Sequence, residues 1–456
     1  MKMQGRRCTV RGSSWGTAAL LLLLVLCSPT WAGNGSMGLM QAYEAARAND
    51  PVFRGARAVR QEGLEYEPLG RSRLLPSISA VVSNGRNRAQ VEDSTGRIDD
   101  RGDYTSSSAS LQLRQPLYDR EAWAARNQGI ARTAGSEALF RAREQELIVR
   151  VFEAYSKALL AQEEVRLVQA QLQALDEQLR SNQQRLTQGE GTWTDVLETR
   201  SKRALMQADL VVAQDNAQYE LKALQAIVGE PVETLERLNA GGAGAAPLAG
   251  SVDEWRAQAM RFNGEVESLK QAVEAARHEI RRVESGHYPR LALLLSSGHT
   301  QSDTTSTFQQ TSRIGSVGLQ LNVPFYSGGS VSAQARQAVA QLSRAEADLD
   351  ARVAELQVEL HRQYSFQRSS ALRIEALAAA VATGNAVVDA TRNSFAGGER
   401  TNVDVLDAQE RLAQAERDLI EARYQQLLAG LRLRHLAGVL HEPDLRAVAA
   451  RFDGSL

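Results

Sequence analysis

Gly189 to Leu210 reads GEGTWTDVLETRSKRALMQADL, and Gly398 to Leu419 reads GERTNVDVLDAQERLAQAERDL. The offset of 209 between these stretches also pairs Tyr155 with Tyr364 and Gly229 with Gly438. Upstream, Leu113 to Tyr118 (LRQPLY) matches Leu321 to Tyr326 (LNVPFY) at an offset of 208, and Pro76 matches Pro289 at 213. A register held this far means the chain is one structural unit written twice, with loops of different length. The repeats are expected over 33–240 and 252–456, joined by a Gly/Ala-rich linker at 241–251 whose composition suits a flexible connector.

Each half repeats one order of elements. A helical stretch (about 40–73, then about 253–286) leads to two alternating segments. A very long helical stretch follows (about 119–186, then about 330–395), then a Gly-containing turn and a further helix (about 193–228, then about 402–437). In the last helix Val405, Leu412, Leu419 and Leu433 form one heptad row, Ala408, Ala415, Ala422, Ala429 and Leu436 a second, and Leu406, Ala413, Ile420 and Leu427 a third. Apolar rows on two flanks predict neighbours on two sides. Val165, Leu172, Leu179 and Leu186, beside Ala161, Val168 and Leu175, repeat the pattern in the long helix. About 65 residues rise about 100 Å, so long antiparallel helices side by side are expected.

The alternating segments predict strands at about 76–86, 104–116, 289–299 and 313–324. Leu111 and Leu113 alternate with Gln112 and Arg114, and Val317, Leu319 and Leu321 alternate with Gly318 and Gln320. The polar runs 86–103 and 300–312 are the expected hairpin tips. A soluble hairpin covering a core fits the pattern as well as a membrane strand does. The small polar second face favours a barrel with lipid outside and water inside. Four strands are too few to close one, since known barrels start at about eight, so closure requires several copies. Pro76, Pro116, Pro289 and Pro324 mark the barrel-helix junctions, where a missing N–H is tolerated. Tyr118, Tyr288, Phe325 and Tyr326 beside them are the expected interface aromatics.

Lys2, Arg6, Arg7 and Arg11 precede the apolar run 18–26, and small residues before position 33 fit a secretory signal over 1–32. Both cysteines, Cys8 and Cys27, fall inside it, which leaves the mature chain without thiol chemistry. No later run approaches eighteen consecutive apolar residues, so no membrane helix is expected beyond it. With 53 Lys+Arg against 54 Asp+Glu, a nucleic-acid partner held by bulk charge is excluded. The six histidines (His278, His287, His299, His361, His435, His441) show no metal-ligand spacing, and no phosphate loop or nucleophile elbow occurs. No enzyme, cofactor or metal is expected.

The motifs VPFYSGG at 323–329 and GERTNVDVLDA at 398–408, with the duplication and the four junction prolines, resemble the TolC-like family of outer-membrane channel proteins. The resemblance covers nearly all of the chain after the signal. It implies a mainly α fold with a β-barrel portion, in two duplicated halves: a long-helix α-barrel spanning the periplasm, and four strands per chain contributing to a trimeric 12-stranded transmembrane β-barrel. It also implies a passive exit duct in the outer membrane of a Gram-negative bacterium, for type I protein secretion or drug efflux. The implied partners are two further copies of the chain, outer-membrane lipid, a periplasmic adaptor and an inner-membrane ABC or other transporter. By the same resemblance Asp404 and Asp407 line a pore constriction, and Arg400 ties its helix pair to Thr194 and Asp195. Phe395 stands where some members carry a latch tyrosine. Rings of these aspartates should repel one another and raise their own pKa values. Without the resemblance, Asp404 and Asp407 read as the acidic first turn of a helix. A periplasmic coiled-coil adaptor without a barrel is the rival reading.

Overall fold

A short polar side chain interrupts the first helical stretch of each half, which periodicity alone reads as continuous. The computed structural model describes residues 36–92, 94–96, 98–239, 250–304 and 307–453. The signal at 1–32, with Cys8 and Cys27, and nearly all of the 241–251 linker lie outside the described residues. Asp50 separates α1 (Leu39–Asn49) from α2 (Pro51–Leu64): its carboxylate accepts from the amides of Val52 and Phe53. Pro51 starts α2 with no N–H to satisfy. After α3 (Tyr66–Ser72) come β1 (Ser77–Glu92), β2 (Ile98–Tyr118), α4 (Arg120–Gln188), α5 (Trp193–Val228) and the short β3 (Arg237–Leu238). The second half runs α6 (Val252–Phe262), α7 (Gly264–Glu284), β4 (Arg290–Thr304), β5 (Thr307–Asn322), α8 (Ser330–Ala396) and α9 (Asn402–Leu436), then α10 (Glu442–Ala449) and β6 (Phe452–Asp453). Asn263 repeats the break, its side-chain oxygen capping the amides of Glu265 and Val266.

These breaks are elbows, and each is locked against the end of a long helix. Asn49 donates to the Val228 carbonyl at 2.9 Å, and Asn263 donates to the Leu436 carbonyl at the same distance. Gly229 and Gly438 follow those helix ends at φ +76° and +74°. A Cβ on Gly438 would lie 2.3 Å from the Phe262 carbonyl, so the close approach and the left-handed backbone both require glycine there.

The three rows of α9 are buried or half-buried throughout, so this helix does have neighbours on two flanks. The principal core gathers Leu39, Phe53, Phe152, Tyr155, Leu431 and Phe452. Tyr155 donates to the Met37 carbonyl at 2.8 Å and meets the Phe452 ring edge-on at 5.7 Å. Burial pushes its phenol well above the ordinary range. Its repeat partner Tyr364 is half-buried and donates to the Gly250 carbonyl at 3.3 Å. The two halves diverge here: Phe452 of β6, paired with Leu238 of β3, packs on Tyr155.

His435, near the end of α9, is held below the ordinary imidazole range by burial, and its Nδ1 has no partner among the described residues. Glu265 and Glu146 oppose that shift while Arg352 and Arg143 reinforce it. A depressed histidine stabilises the fold above the unfolded pKa of about 6.5, and that contribution is lost as pH falls through the folded value. The melting temperature should therefore drop on acidification from neutral pH, and His435→Gln should drop less across the same range in parallel melts.

The strands form one antiparallel sheet in the order β1-β2-β4-β5. Its register aligns Ile78, Leu113, Leu295 and Val317 in one row and Ala80, Leu111, Ser297 and Gly315 in the next. The opposite face carries Ser79, Gln112, Ser296 and Ser316, with a 2.7 Å hydrogen bond between the Ser296 and Ser316 hydroxyls. The first face is the more apolar, with Ile78, Leu111, Val317 and Leu319 exposed, and the second carries most of the small and polar side chains. The strands run well into the expected tips 86–103 and 300–312. Backbone pairing does not need an apolar face, and cross-strand polar contacts support it: Arg86 with Asp103 at 2.9 Å, and Asn87 with Ser106 at 2.9 Å.

One described helix, α8, is long and apolar enough to cross a membrane, with a window of mean hydropathy 1.4 that is 6% buried. Counting consecutive apolar residues misses it, because Thr383, Gly384 and Asn385 interrupt the Ala-rich run 376–388.

Candidate functional site

The expected constriction and gate residues lie at the adjoining ends of α5, α8 and α9, and local capping decides where the aspartate side chains go. Thr192 and Thr401 open α5 and α9 with equivalent capping boxes. The Asp195 carboxylate accepts from the Thr192 amide at 3.1 Å and hydroxyl at 2.7 Å, and the Asp404 carboxylate accepts from the Thr401 amide at 2.9 Å and hydroxyl at 2.8 Å. Arg400 lies 3.6 Å from the Asp404 carboxylate. Within one chain the ion pair of Arg400 is with Asp404, and each aspartate also caps its helix through the threonine three residues before it. Thr194 is exposed.

The Asp404 carboxyl is held below its ordinary range, first by the Thr401 amide and hydroxyl and then by Arg400. Within one chain the direction is set by the two Thr401 donors, which favour the charged form. Asp407 stands three residues further along α9, exposed. Phe395 has no hydroxyl to offer, yet it is held. The Arg185 guanidinium sits 4.5 Å from its ring centroid and donates to its carbonyl at 3.4 Å, joining the ends of α4 and α8.

The sequence reading missed a buried amide cluster just inside these ends. Asn182, Thr199 and Asn402 are at most 2% exposed. Asn182 donates to the Asn402 side-chain oxygen at 2.9 Å and to the Thr199 hydroxyl at 3.0 Å. Gln178 donates to the same Asn402 oxygen at 3.1 Å, and Thr199 donates to the Asp195 carbonyl at 2.8 Å. The cluster ties α4, α5 and α9 together. Its signal lay in the heptad row Ala161, Val168, Leu175, whose next position is Asn182. A single asparagine in such a row is a register device. Between the helix pairs beyond the cluster runs a groove of about 1190 Å³ with a mixed apolar and charged lining, including Lys202 paired with Glu410 and Arg417 paired with Glu164 at 2.6 Å.

At the other end, Pro76 and Pro289 immediately precede β1 and β4, and Pro324 follows β5. Pro116 sits inside β2, where pairing with β4 becomes irregular between Pro116 and Tyr118. Phe325 and Tyr326 are 95% and 88% exposed, and Tyr118 and Tyr288 about half that. Arg120 stacks over the Tyr288 ring at 3.9 Å. Beside it Glu121 accepts from Arg282 at 3.0 Å and Arg290 at 2.6 Å, bracing the start of β4 on α4 and α7. Among the described residues no group of three or more His, Cys, Asp or Glu is placed to hold a metal.

A family model described as outer membrane efflux protein matches residues 42–230 and again 255–439, once in each repeat. The alkaline protease secretion protein AprF of Pseudomonas aeruginosa is 39% identical over 422 residues, covering 91% of this chain and 88% of that protein. The proteases secretion protein PrtF of Dickeya chrysanthemi is 36% identical over 448 residues, covering 95% of each. Among solved structures, the outer membrane protein VceC of Vibrio cholerae superposes with a TM-score of 0.75 at 19% identity, covering 88% of this chain and 96% of that one. This last likeness bears on the fold.

Proposed function

This chain belongs to the outer membrane efflux protein family, and from that premise we propose that it assembles as a trimer whose strands close a twelve-stranded barrel and whose helices continue the duct through the periplasm. The chain is an outer-membrane exit duct for type I secretion or efflux, and its family is one of channels, not of enzymes. The rival reading as a barrel-free periplasmic adaptor is not supported. The observation that carries the trimer is the sheet itself: among the described residues β1 and β5 each pair on one side only, and Ile78, Leu111, Val317 and Leu319 on its apolar face are exposed. Edges left open beside an apolar face need a partner of matching register, and another copy of the chain supplies one. Exposed apolar residues of α8, such as Leu372 at 70%, would be covered in the same assembly.

Within the family we assign the chain to protein export, with a periplasmic adaptor and an inner-membrane ABC transporter as partners. The two protease-secretion relatives, alike over nine-tenths or more of this chain, support that choice. Asp404, Asp407, Arg400, Asp195, Thr194 and Phe395 belong to the proposed gate, at the periplasmic end. The test is deletion of the gene in its host. Loss of a secreted protease from the medium, restored by the intact gene, supports the assignment. Normal secretion with raised sensitivity to small toxic compounds would move the chain to the efflux branch. Crosslinking in native membranes that stopped at dimers would overturn the trimer.

A further inference from the structure

On β4 and β5 the outward face of the sheet carries a histidine and an arginine, directly paired, that the duct itself does not use. His299 on β4 and Arg313 on β5 are directly paired in the register, and both are exposed. They share their face with Leu291, Leu293, Leu295, Leu319 and Leu321 by the alternation of the strands. Below them on β4 and β5 every outward residue is uncharged, so this pair is the first charged position met along the face.

Its height follows from strand geometry. His299 lies ten residues beyond Pro289, about 34 Å along an antiparallel strand and about 26 Å along the membrane normal at the usual tilt. The apolar band of an outer-membrane barrel is about 25 Å tall. With the junction aromatics at the periplasmic interface, the pair falls at the outer interface, level with the headgroups of the outer leaflet. His299 and Arg313 form part of the wall of a depression of about 440 Å³, where the small residues Ala80, Ala109, Ser297 and Gly315 beside and below them leave room. A large side chain at any of these positions would fill it.

On these observations, and resting on the barrel reading above, we propose that His299 and Arg313 hold the phosphate of an outer-leaflet phosphorylated glycolipid, with one of its acyl chains lying in that depression. Arg313 offers the forked donors that suit phosphate oxygens, and neither side chain has an ion-pair partner among the described residues that would compete. The depression suits a hydrocarbon chain and not a protein loop, which would need backbone hydrogen-bond partners there. A phospholipid of the inner leaflet would present its phosphate at the wrong end of the band.

The test uses the full-length channel in detergent, with bisphosphorylated lipid A, fully dephosphorylated lipid A and phosphatidylglycerol as the added lipids. Native mass spectrometry reads the bound lipid. The intact protein should retain bisphosphorylated lipid A at least tenfold better than either other lipid, and His299→Ala/Arg313→Ala should lose that preference. Arg313→Gln serves as a milder variant if the double change assembles poorly. Equal retention by the variants, or equal retention of all three lipids, overturns the site. Bilayer conductance of intact and variant channels is measured alongside and should be the same. If the intact chain neither inserts nor conducts, the barrel reading fails and the lipid site falls with it, a result distinct from a conducting channel without lipid preference.

Discussion

Asn402→Ala channels are expected to leak. The substitution deletes the oxygen that takes hydrogen bonds from Asn182 and Gln178, and the amide that donates to Thr199, within a site closed to water. Leaving buried polar partners unsatisfied costs about 1–3 kcal/mol, roughly 5- to 150-fold in a two-state equilibrium per copy. The bonds lost are those that hold α9 against α4 and α5, so the cost falls on the arrangement in which these helix ends are drawn together. Resting conductance in bilayers should rise, and cells carrying the variant should admit large antibiotics. Asn182→Ala should act alike, and the double variant should add little, because both remove one network. Full additivity would show the amides acting separately. Arg400→Ser is the informative control. Its partner within the chain is Asp404, four residues on, and a solvated pair of this kind contributes little. A leak from Arg400→Ser as large as that from Asn402→Ala would mean that Arg400 instead reaches Asp195 of a neighbouring copy.

The features legible in the sequence are those set by local rules. Thr-x-x-Asp boxes at 192–195 and 401–404, Gly189 and Gly229 after helix ends, and heptad rows along α9 each bound a helix with no tertiary information. The elbows at Asp50 and Asn263 were not legible. Either residue can sit on the exposed face of a continuous helix, and only the docking against Gly229 and Gly438 makes the break favourable. Strand length beyond the apolar rows was hidden for a related reason. Where both faces meet water no alternation is selected, while the backbone ladder continues. At the helix ends the capping box was itself readable, and it decides the fate of Asp195 and Asp404 within the chain. The resemblance supplied a longer-range partner for Arg400 at Asp195, whose capping bonds with Thr192 occupy only Oδ2 and leave Oδ1 open to a further donor. Asn182 escaped notice because an amide in a heptad row looks like an interruption of the core until Asn402 and Thr199 are seen to meet it.

Neutralising Asp407 should abolish most of the block that multivalent cations exert from the periplasmic side. In the proposed trimer each copy brings Asp404 and Asp407 to the narrow end, and a ring of carboxylates binds a multivalent cation far more tightly than a single one does. The two residues are not equivalent as targets. Asp404 also caps α9 through Thr401, so its removal to alanine weakens the helix start as well as the charge. Asn at that position keeps an oxygen for the Thr401 donors, which makes Asp404→Asn the cleaner change, and Asp407→Asn leaves the capping box untouched. A tenfold or greater rise in the half-blocking concentration is expected for Asp407→Asn, and loss of block for the double variant. Acid separates the two contributions further. Because Thr401 and Arg400 hold the Asp404 carboxyl below its ordinary range, its charge persists as pH falls through the usual carboxylate pKa of about 3.9. Residual block of the Asp407→Asn channel should therefore survive acidification that removes an ordinary aspartate, and Asp404→Asn should eliminate that acid-resistant part. Block that is unchanged in the double variant would move the constriction away from the start of α9, and the amide cluster behind it would then close the duct without any acidic ring.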